Sequence, residues 1–159
     1  MKITPTPYTV IFDTREQVPY SFVKPLRGRN ARELFSIRTE RGTIASGDYS
    51  LAGFQDRMAI ERKSLADWYG TVGRGRARFV RELDRLACLE WSAVVIEAEW
   101  SEILTAPPVR SRLHPRSVLG SVIAWQVRYP RVHWCFLPGR DAAEGYVGRI
   151  LDRWWRENA

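Results

Sequence analysis

The sequence predicts an α/β fold with a central mixed β-sheet flanked by helices. Short, mostly apolar runs, such as residues 8–12 and 93–97, are typical of strands buried on both faces. Longer segments, such as residues 76–89 and 141–157, repeat apolar side chains every three or four positions, as amphipathic helices do. With 159 residues, 45% of them hydrophobic and 27% charged, the chain suits one folded domain, which we predict over residues 1–159.

The first part of the chain is predicted to form strands and their connections. Residues 8–12 make a core strand that places Asp13 at its end. Residues 17–30 contain two prolines, a glycine and an asparagine, and are expected to form a loop or a short helix. Residues 34–39 are extended and are expected to turn back toward the next strand, so that residues 34–63 form a meander.

A β-hairpin is predicted in the middle of this region. Residues 47–51 and 57–63 are two extended runs, and residues 52–56 between them form a turn. Asp48 lies at the start of the first run and Glu61 near the end of the second. An antiparallel hairpin therefore brings these two carboxylates close together.

Glu61, Arg62 and Lys63 follow one another on the second strand of the hairpin. Since side chains alternate along a strand, Glu61 and Lys63 share a face and Arg62 points the other way. Only 3 of the 25 basic residues are Lys, so the composition of the chain alone does not explain a lysine two positions after Glu61. Carboxylates are the ligands that Mg²⁺ prefers, and a lysine can orient a water or neutralise charge on a phosphate. The alternative is a solvated charge cluster on an edge strand, with Asp48 as a turn residue.

The second part of the chain is predicted to contribute most of the helices. Ser64 is expected to cap a helix, with Asp67 three residues on as in a weak capping box. Residues 70–75 form a flexible joint. The elements predicted after it are strands over residues 93–97 and 132–137 and helices over residues 76–89, 101–105, 115–129 and 141–157. The last helix has more apolar surface than one core contact needs, which favours pairing of part of it with another chain.

The helix predicted over residues 76–89 carries a row of arginines, mostly at spacings of three and four. The members of this row are Arg76, Arg78, Arg81 and Arg85. Guanidinium groups beside a metal site are suited to following the phosphates of DNA. The alternative is a solvated helix face that Glu82 and Asp84 partly neutralise.

The net charge of +7 and a pI near 9.9 favour an acidic polymer as partner, with nucleic acid first and an anionic membrane surface second. No apolar run approaches the roughly 20 residues of a membrane span, and the N-terminus lacks a signal-peptide core. Cys88 and Cys135 have no zinc-site spacing and are expected to be buried free thiols. We therefore expect an intracellular protein, cytoplasmic in a prokaryote or virus and nuclear in a eukaryote.

Three short motifs occur in a fixed order along the chain. Residues 11–16 read Ile-Phe-Asp-Thr-Arg-Glu, residues 47–49 read Gly-Asp-Tyr, and residues 60–64 read Ile-Glu-Arg-Lys-Ser and are followed by Asp67. Together they resemble the nuclease signature of the XPF family of structure-specific DNA endonucleases. The later order of helices and strands also fits that family, so the resemblance spans residues 9–157.

The resemblance implies a restriction-endonuclease-like fold and hydrolysis of DNA phosphodiester bonds with Mg²⁺ or Mn²⁺. In this interpretation Asp13, Asp48 and Glu61 hold one or two metal ions. Lys63 positions or activates the attacking water and stabilises charge on the phosphorane. The other residues expected in the catalytic site are Arg15, Glu16, Arg62 and Asp67. The two arginines are expected to orient carboxylates or clamp phosphates, because a guanidinium does not give up a proton.

The resemblance also implies partners, namely branched or flapped duplex DNA and a second protomer in a homodimer or heterodimer. Family members commonly continue into a tandem helix-hairpin-helix domain, whereas we expect these 159 residues to hold neither that module nor a helicase domain. Two alternatives remain: a DNA-binding subunit with an idle nuclease site, and a sequence-specific restriction-type nuclease. The presence of Asp48, Glu61 and Lys63 together argues against the idle site.

Overall fold

A mixed β-sheet with helices on both faces forms the framework of the protein. The computed structural model describes residues 2–28, 30 and 32–159, which contain seven strands and five helices. The strands are β1 (Ile3–Asp13), β2 (Leu26–Arg27), β3 (Leu34–Gly42), β4 (Tyr49–Leu51), β5 (Met58–Lys63), β6 (Trp91–Ile96) and β7 (Val132–Phe136). The helices are α1 (Leu65–Val72), α2 (Arg76–Leu86), α3 (Trp100–Thr105), α4 (Pro115–Arg128) and α5 (Gly139–Asn158).

The order of the strands in the sheet is β2-β3-β1-β4-β5-β6-β7. Strands β5, β6 and β7 run parallel to one another, and β4 joins them to β1 through antiparallel pairs on both sides. The expected mixed sheet with flanking helices is confirmed. The parallel steps need crossovers, which α1 and α2 supply between β5 and β6, and α3 and α4 between β6 and β7.

The predicted meander over residues 34–63 is wrong. Strand β3 runs parallel to β1, from the pair Ile3–Leu34 to the pair Asp13–Gly42, and β4 pairs with the opposite side of β1. Strand β1 is apolar on both faces over its second half and therefore takes a central position, whereas the polar β3 lies near the edge of the sheet. The region expected to be a loop or short helix contributes the edge strand β2, and Arg29 lies outside the described residues.

Two apolar clusters cover the faces of the sheet. On one face Trp68 of α1, Phe79 of α2 and Trp125 of α4 pack edge to face over the sheet. On the other face α5 buries Val147 and Leu151 against the strands. Strand β5 contributes Ala59 to the first cluster and Met58 and Ile60 to the second, and β4 contributes Tyr49 and Leu51 to the second.

The apolar surface of α5 is used mostly within the chain. Trp154 is buried, Trp155 contacts Tyr8 with ring centroids 5.5 Å apart, and Ile150 is partly buried in the same cluster. Tyr146 is the apolar residue of this helix that remains 41% exposed. The width of the α5 surface is therefore explained by packing within the chain, so it no longer argues for a second protomer.

Two smaller features concern exposure and membrane insertion. Cys88 and Cys135 are both free thiols, but the expectation that both are buried is wrong because Cys88 is exposed just after α2. Among the described residues no helix has the length and apolarity needed to cross a bilayer.

Candidate active site

The turn that leads into β4 places Asp48 beside β5. Tyr49 pairs with Ile60 in the predicted hairpin, and the Asp48 main-chain N–H donates a hydrogen bond of 2.8 Å to the Ile60 carbonyl. Gly47 has φ of +87°, and a Cβ there would lie 3.0 Å from the Cβ of Ala59. Only glycine adopts this left-handed conformation at such close approach without strain. The Gly-Asp pair is therefore a local requirement for placing the Asp48 carboxylate.

The side chains of Asp48, Glu61 and Lys63 meet in one cavity of about 450 Å³ beside helices α1 and α2. The Lys63 ammonium lies 2.6 Å from a Glu61 carboxylate oxygen, so these two side chains share a face as strand alternation predicts. The main-chain N–H of Arg62 donates to Asp48 Oδ2 at 2.7 Å. The Arg62 main chain thus orients the Asp48 carboxylate, and the Lys63 ammonium orients the Glu61 carboxylate.

Electrostatics at this cavity favour a positive ligand. Burial, and then the nearby charge of Glu61, raise the pKa of Asp48 to about 8. Burial likewise raises the pKa of Glu61, although Lys63 opposes the shift. Burial alone would lower the pKa of Lys63, but the Glu61 carboxylate outweighs it and the pKa is raised. The lysine is therefore an ammonium at neutral pH, and ionisation of both Asp48 and Glu61 is costly without a further cation.

Asp13 lies next to this cavity but does not line it. One of its oxygens accepts hydrogen bonds from the main-chain N–H and the Nε of Arg15, at 2.9 and 2.5 Å, and the other accepts from the Ile44 N–H at 2.9 Å. Burial raises the pKa of Asp13, but these hydrogen bonds prevail and lower it. Its own N–H donates to the Asp48 carbonyl at 2.8 Å, which ties β1 to the turn before β4. Its assignment as a metal ligand stays a prediction.

No group of three or more His, Cys, Asp or Glu side chains within the described part of the chain is already arranged around a common point for a metal ion. Four carboxylates line the cavity, namely Asp48 and Glu61 from the hairpin, Asp67 from α1 and Glu82 from α2. Asp13, Asp48 and Glu61 therefore do not form a preassembled metal site.

Arg15 and Asp67 lie on the rim, between the main cavity and an adjoining one of about 390 Å³. The Arg15 guanidinium is largely exposed, and its NH2 group donates to the Ile44 carbonyl at 3.0 Å. Asp67 accepts a hydrogen bond of 2.6 Å from the Ser64 hydroxyl, and its N–H donates back to that oxygen at 3.2 Å. Ser64 is therefore the N-cap of α1, as predicted, and the cap holds Asp67 at the rim.

Arg62 points away from the cavity into a buried network of charges. Its guanidinium binds both oxygens of Glu97, at 2.7 and 3.1 Å, and lies 3.4 Å from Glu16. The Tyr20 hydroxyl donates to Glu97 at 2.8 Å, and Arg140 lies 3.8 Å from it. The side chain of Arg62 is only 12% exposed and is engaged by carboxylates of the chain, and its role in the catalytic site stays a prediction. Sequence reasoning missed Glu97, although a carboxylate at the end of the core strand predicted over residues 93–97 was a signal.

Removal of Glu97 tests how far this network fixes the hairpin. The variant Glu97→Ala is expected to lower the free energy of unfolding by about 3 kcal/mol, because it leaves Arg62 buried beside Glu16 alone. The matched control is Glu90→Ala, which removes an equally bidentate partner of Arg57 at the surface. Denaturant unfolding should show a large loss for the first variant and little change for the second. Equal losses would mean that the Arg62 network does not stabilise this region specially.

Glu82 of α2 is a site residue that the sequence did not single out as such. Its carboxylate accepts a hydrogen bond of 2.8 Å from the buried Gly47 N–H and pairs with Arg85. Arg85 in turn donates to the Ser46 hydroxyl at 3.0 Å. The end of α2 therefore holds the turn that carries Asp48, a contact between elements 35 residues apart that no local pattern indicates.

Substitutions at Glu82 separate this hydrogen bond from the negative charge. Glu82→Ala leaves the Gly47 N–H without its acceptor and is expected to slow the DNA cleavage predicted from the sequence motifs at least about tenfold, since small displacements of a reacting group have large kinetic costs. Glu82→Gln keeps an acceptor oxygen and should retain most of the rate. Single-turnover cleavage assays compare the two, and a glutamine variant as slow as the alanine variant would contradict this role.

The arginines of α2 divide into two groups. Arg76 lies 4.8 Å over the ring of Trp125 in α4, and Arg85 is engaged by the turn before β4, so both have partners within the chain. Arg78 lines the main cavity, and Arg81 is exposed on the same helix. The row predicted to bind DNA is therefore not one continuous free surface, and its role in DNA binding stays a prediction.

The fold is similar to that of solved nuclease structures. XPF from Aeropyrum pernix matches with a TM-score of 0.61 at 22% sequence identity, over 92% of this chain and 61% of that chain. XPF from Aeropyrum pernix in complex with DNA matches with a TM-score of 0.62 at 21% identity, over 94% of this chain and 66% of that chain. The protein has the restriction-endonuclease-like fold of the XPF nuclease domain, and it spans less than two thirds of the length of these two chains.

The family follows from the sequence match along most of the chain. The family model described as ERCC4 domain matches residues 12–147. No curated protein sequence matches this chain significantly. The chain belongs to the ERCC4 domain family, and the resemblance to XPF-type nucleases drawn from the three motifs is confirmed.

Proposed function

We propose that this domain is a Mg²⁺- or Mn²⁺-dependent endodeoxyribonuclease that hydrolyses phosphodiester bonds in branched or flapped DNA. The observation that carries the proposal is the convergence of Asp48, Glu61 and Lys63 on one open cavity. Membership of the ERCC4 domain family supports nuclease chemistry, and the solved XPF complex with DNA supports DNA as substrate. The net charge of +7 agrees with a polyanionic ligand.

The chemistry of the donor set fits a hard divalent cation. Asp48 and Glu61 present carboxylate oxygens to the same cavity, where burial and then the charge of Glu61 raise the pKa of Asp48, and burial and the charge of Glu82 raise the pKa of Glu61. When bound there, Mg²⁺ or Mn²⁺ would polarise the phosphate and lower the pKa of a coordinated water. Asp13 is the third proposed ligand, and its carboxylate would have to exchange hydrogen bonds from Arg15 and Ile44 for that role.

Lys63 and the rim residues act on the phosphate and the attacking water. Because Lys63 stays protonated beside Glu61, we assign it to orienting the water and stabilising negative charge on the phosphorane, rather than to removing a proton. Arg15 and Arg78 line the cavity and can contact non-bridging phosphate oxygens. The Arg62 backbone holds Asp48 in position throughout.

A panel of DNA substrates tests the proposal. Flapped, branched and linear duplex DNA are incubated with the protein and Mg²⁺ or Mn²⁺, and in parallel with EDTA. Metal-dependent cutting near the branch or flap is expected. Cutting of linear duplex at one sequence would indicate a restriction-type nuclease, and binding without any cutting would indicate an idle subunit. A mass measurement of the protein in solution, run alongside, tests whether the second protomer implied by the family resemblance is another copy of this chain.

A further inference from the structure

A broad basic groove adjoins the active-site cavity. It has a volume of about 910 Å³ and lies between the end of α1 and the loop over residues 106–114 that connects α3 to α4. Ala66 and Gly70 line both the groove and the active-site cavity, so the two spaces are continuous. A Cβ placed on Gly70 would meet no atom within 4 Å, so the junction between the two spaces is open. An extended ligand could thus lie in both at once.

The charge of the groove is uniformly positive. Arg74 lines one wall, Arg110 and Arg112 line the other, and no Asp or Glu is among the lining residues. All three side chains are exposed, and none has an ion pair or side-chain hydrogen bond with another described residue. In contrast, Arg76 and Arg85 of the row predicted from sequence already have partners. The groove therefore brings together three guanidinium groups that are free to bind an anion.

The loop that carries two of these arginines has an ordered backbone. The Ser111 N–H donates to the Pro108 carbonyl at 2.8 Å, and the Leu113 N–H donates to the Ser111 hydroxyl at 3.2 Å. Leu113 also packs against the apolar cluster of α1, α2 and α4. The groove wall is thus anchored at both its turn and its end, which lowers the entropy lost when a ligand binds.

We propose that this groove binds the phosphodiester backbone of the DNA strand that adjoins the scissile phosphate. The path runs from Arg78 in the active-site cavity, past Gly70 and Arg74, to Arg110 and Arg112 in the loop. Contacts of this kind depend on the charge and spacing of the phosphates rather than on the base sequence. The inference rests on the proposed nuclease function, because it assigns the groove to the same substrate.

The test is equilibrium binding of fluorescent single-stranded, duplex and flapped DNA in EDTA, measured by anisotropy at several salt concentrations. Arg110→Gln combined with Arg112→Gln is expected to weaken binding at least about tenfold and to reduce the slope of log K against log salt by about 1.4 to 1.8. The control combines Arg38→Gln with Arg131→Gln, two exposed arginines that do not line the groove. Both double variants lower the net charge by two, so the control should lose far less affinity and keep the wild-type slope.

A second variant, Arg74→Gln, tests the opposite wall of the groove independently of the loop. It is expected to lower affinity and reduce the salt slope by about 0.7 to 0.9. Thermal unfolding verifies that each variant folds, which we expect because these arginines have no partners among the described residues. The single-stranded and duplex arms show whether the groove holds one strand or a duplex arm.

The outcomes separate the groove from the nuclease proposal. If the groove variants and the charge-matched control lose the same affinity, or if neither changes binding, the groove assignment is wrong even when the wild type cleaves DNA. If the groove variants alone lose binding but the wild type cuts none of the substrates with Mg²⁺ or Mn²⁺, the groove assignment holds and the nuclease proposal fails.

Discussion

The variant Asp48→Asn is expected to cleave DNA at least about a thousandfold more slowly than the wild type while remaining folded. Asparagine keeps an oxygen that can accept the hydrogen bond from the Arg62 N–H, so the hairpin geometry should survive. It cannot supply the negative charge that a divalent cation needs, and a loss of several kcal/mol of metal-assisted stabilisation corresponds to about three orders of magnitude in rate. Single-turnover cleavage of a flapped substrate at saturating protein measures the effect.

The control for this variant is Asp56→Asn, which removes one carboxylate from the exposed turn of the same hairpin. It should cleave DNA at close to the wild-type rate. Cleavage by Asp48→Asn within a few-fold of the wild type would remove Asp48 from the catalytic site.

The same substitution should change how stability depends on pH in EDTA. The pKa of Asp48 is raised to about 8 in the folded protein, against 3.8 for the ordinary side chain. The folded state therefore holds a proton that the unfolded state releases, so the free energy of unfolding falls as pH rises from about 4 to about 8. Asp48→Asn removes this contribution and should give a flatter profile. Identical pH profiles of the melting temperature for both proteins would contradict the raised pKa.

The variant Lys63→Met is expected to lose both activity and stability. Without the ammonium, charge on the phosphorane loses a preorganised donor, and cleavage should fall by about two to three orders of magnitude. In this variant the Glu61 carboxylate is buried without the ammonium that lies 2.6 Å from it in the wild type. The free energy of unfolding should therefore fall by up to about 3 kcal/mol near neutral pH. Because Glu61 can take up a proton instead, the stability loss should shrink as pH is lowered toward 5.

Lys24→Met is the matched control, because Lys24 pairs with Asp141 at the surface with both side chains largely exposed. It should leave the cleavage rate and the unfolding transition almost unchanged. Near wild-type cleavage by Lys63→Met would rule out the role assigned to the ammonium, and loss of stability without loss of rate would leave Lys63 a structural residue only.

Local chemistry explains what the sequence could predict about the site. The hairpin, the shared face of Glu61 and Lys63, and the Ser64 cap all follow from alternation, turn residues and capping within a few positions. The family resemblance then supplied the fold class that the sheet confirms. These features depend on residues close together in sequence or on a long shared pattern.

The features that the sequence did not predict depend on distant partners. The meander prediction was wrong because β3 and β4 pair with opposite edges of β1 instead of with each other. Which strands pair depends on the patterns of whole strands and not on the turns between them. Glu97 and Glu82 reach Arg62 and Gly47 from elements about 35 positions away, and no periodicity encodes those contacts. The arginine row was a correct helix pattern, yet packing against other elements engages two of its four members.

The binding of Mn²⁺ to the wild type and to Asp48→Asn tests the central claim most directly. Isothermal titration calorimetry without DNA measures the affinity at one hairpin site whether or not cleavage follows. The account predicts measurable binding by the wild type, with affinity at least about tenfold weaker in the variant, because one of the two hairpin carboxylates that line the cavity is lost. Equal Mn²⁺ affinity in the two proteins would show that this cavity is not where the metal binds.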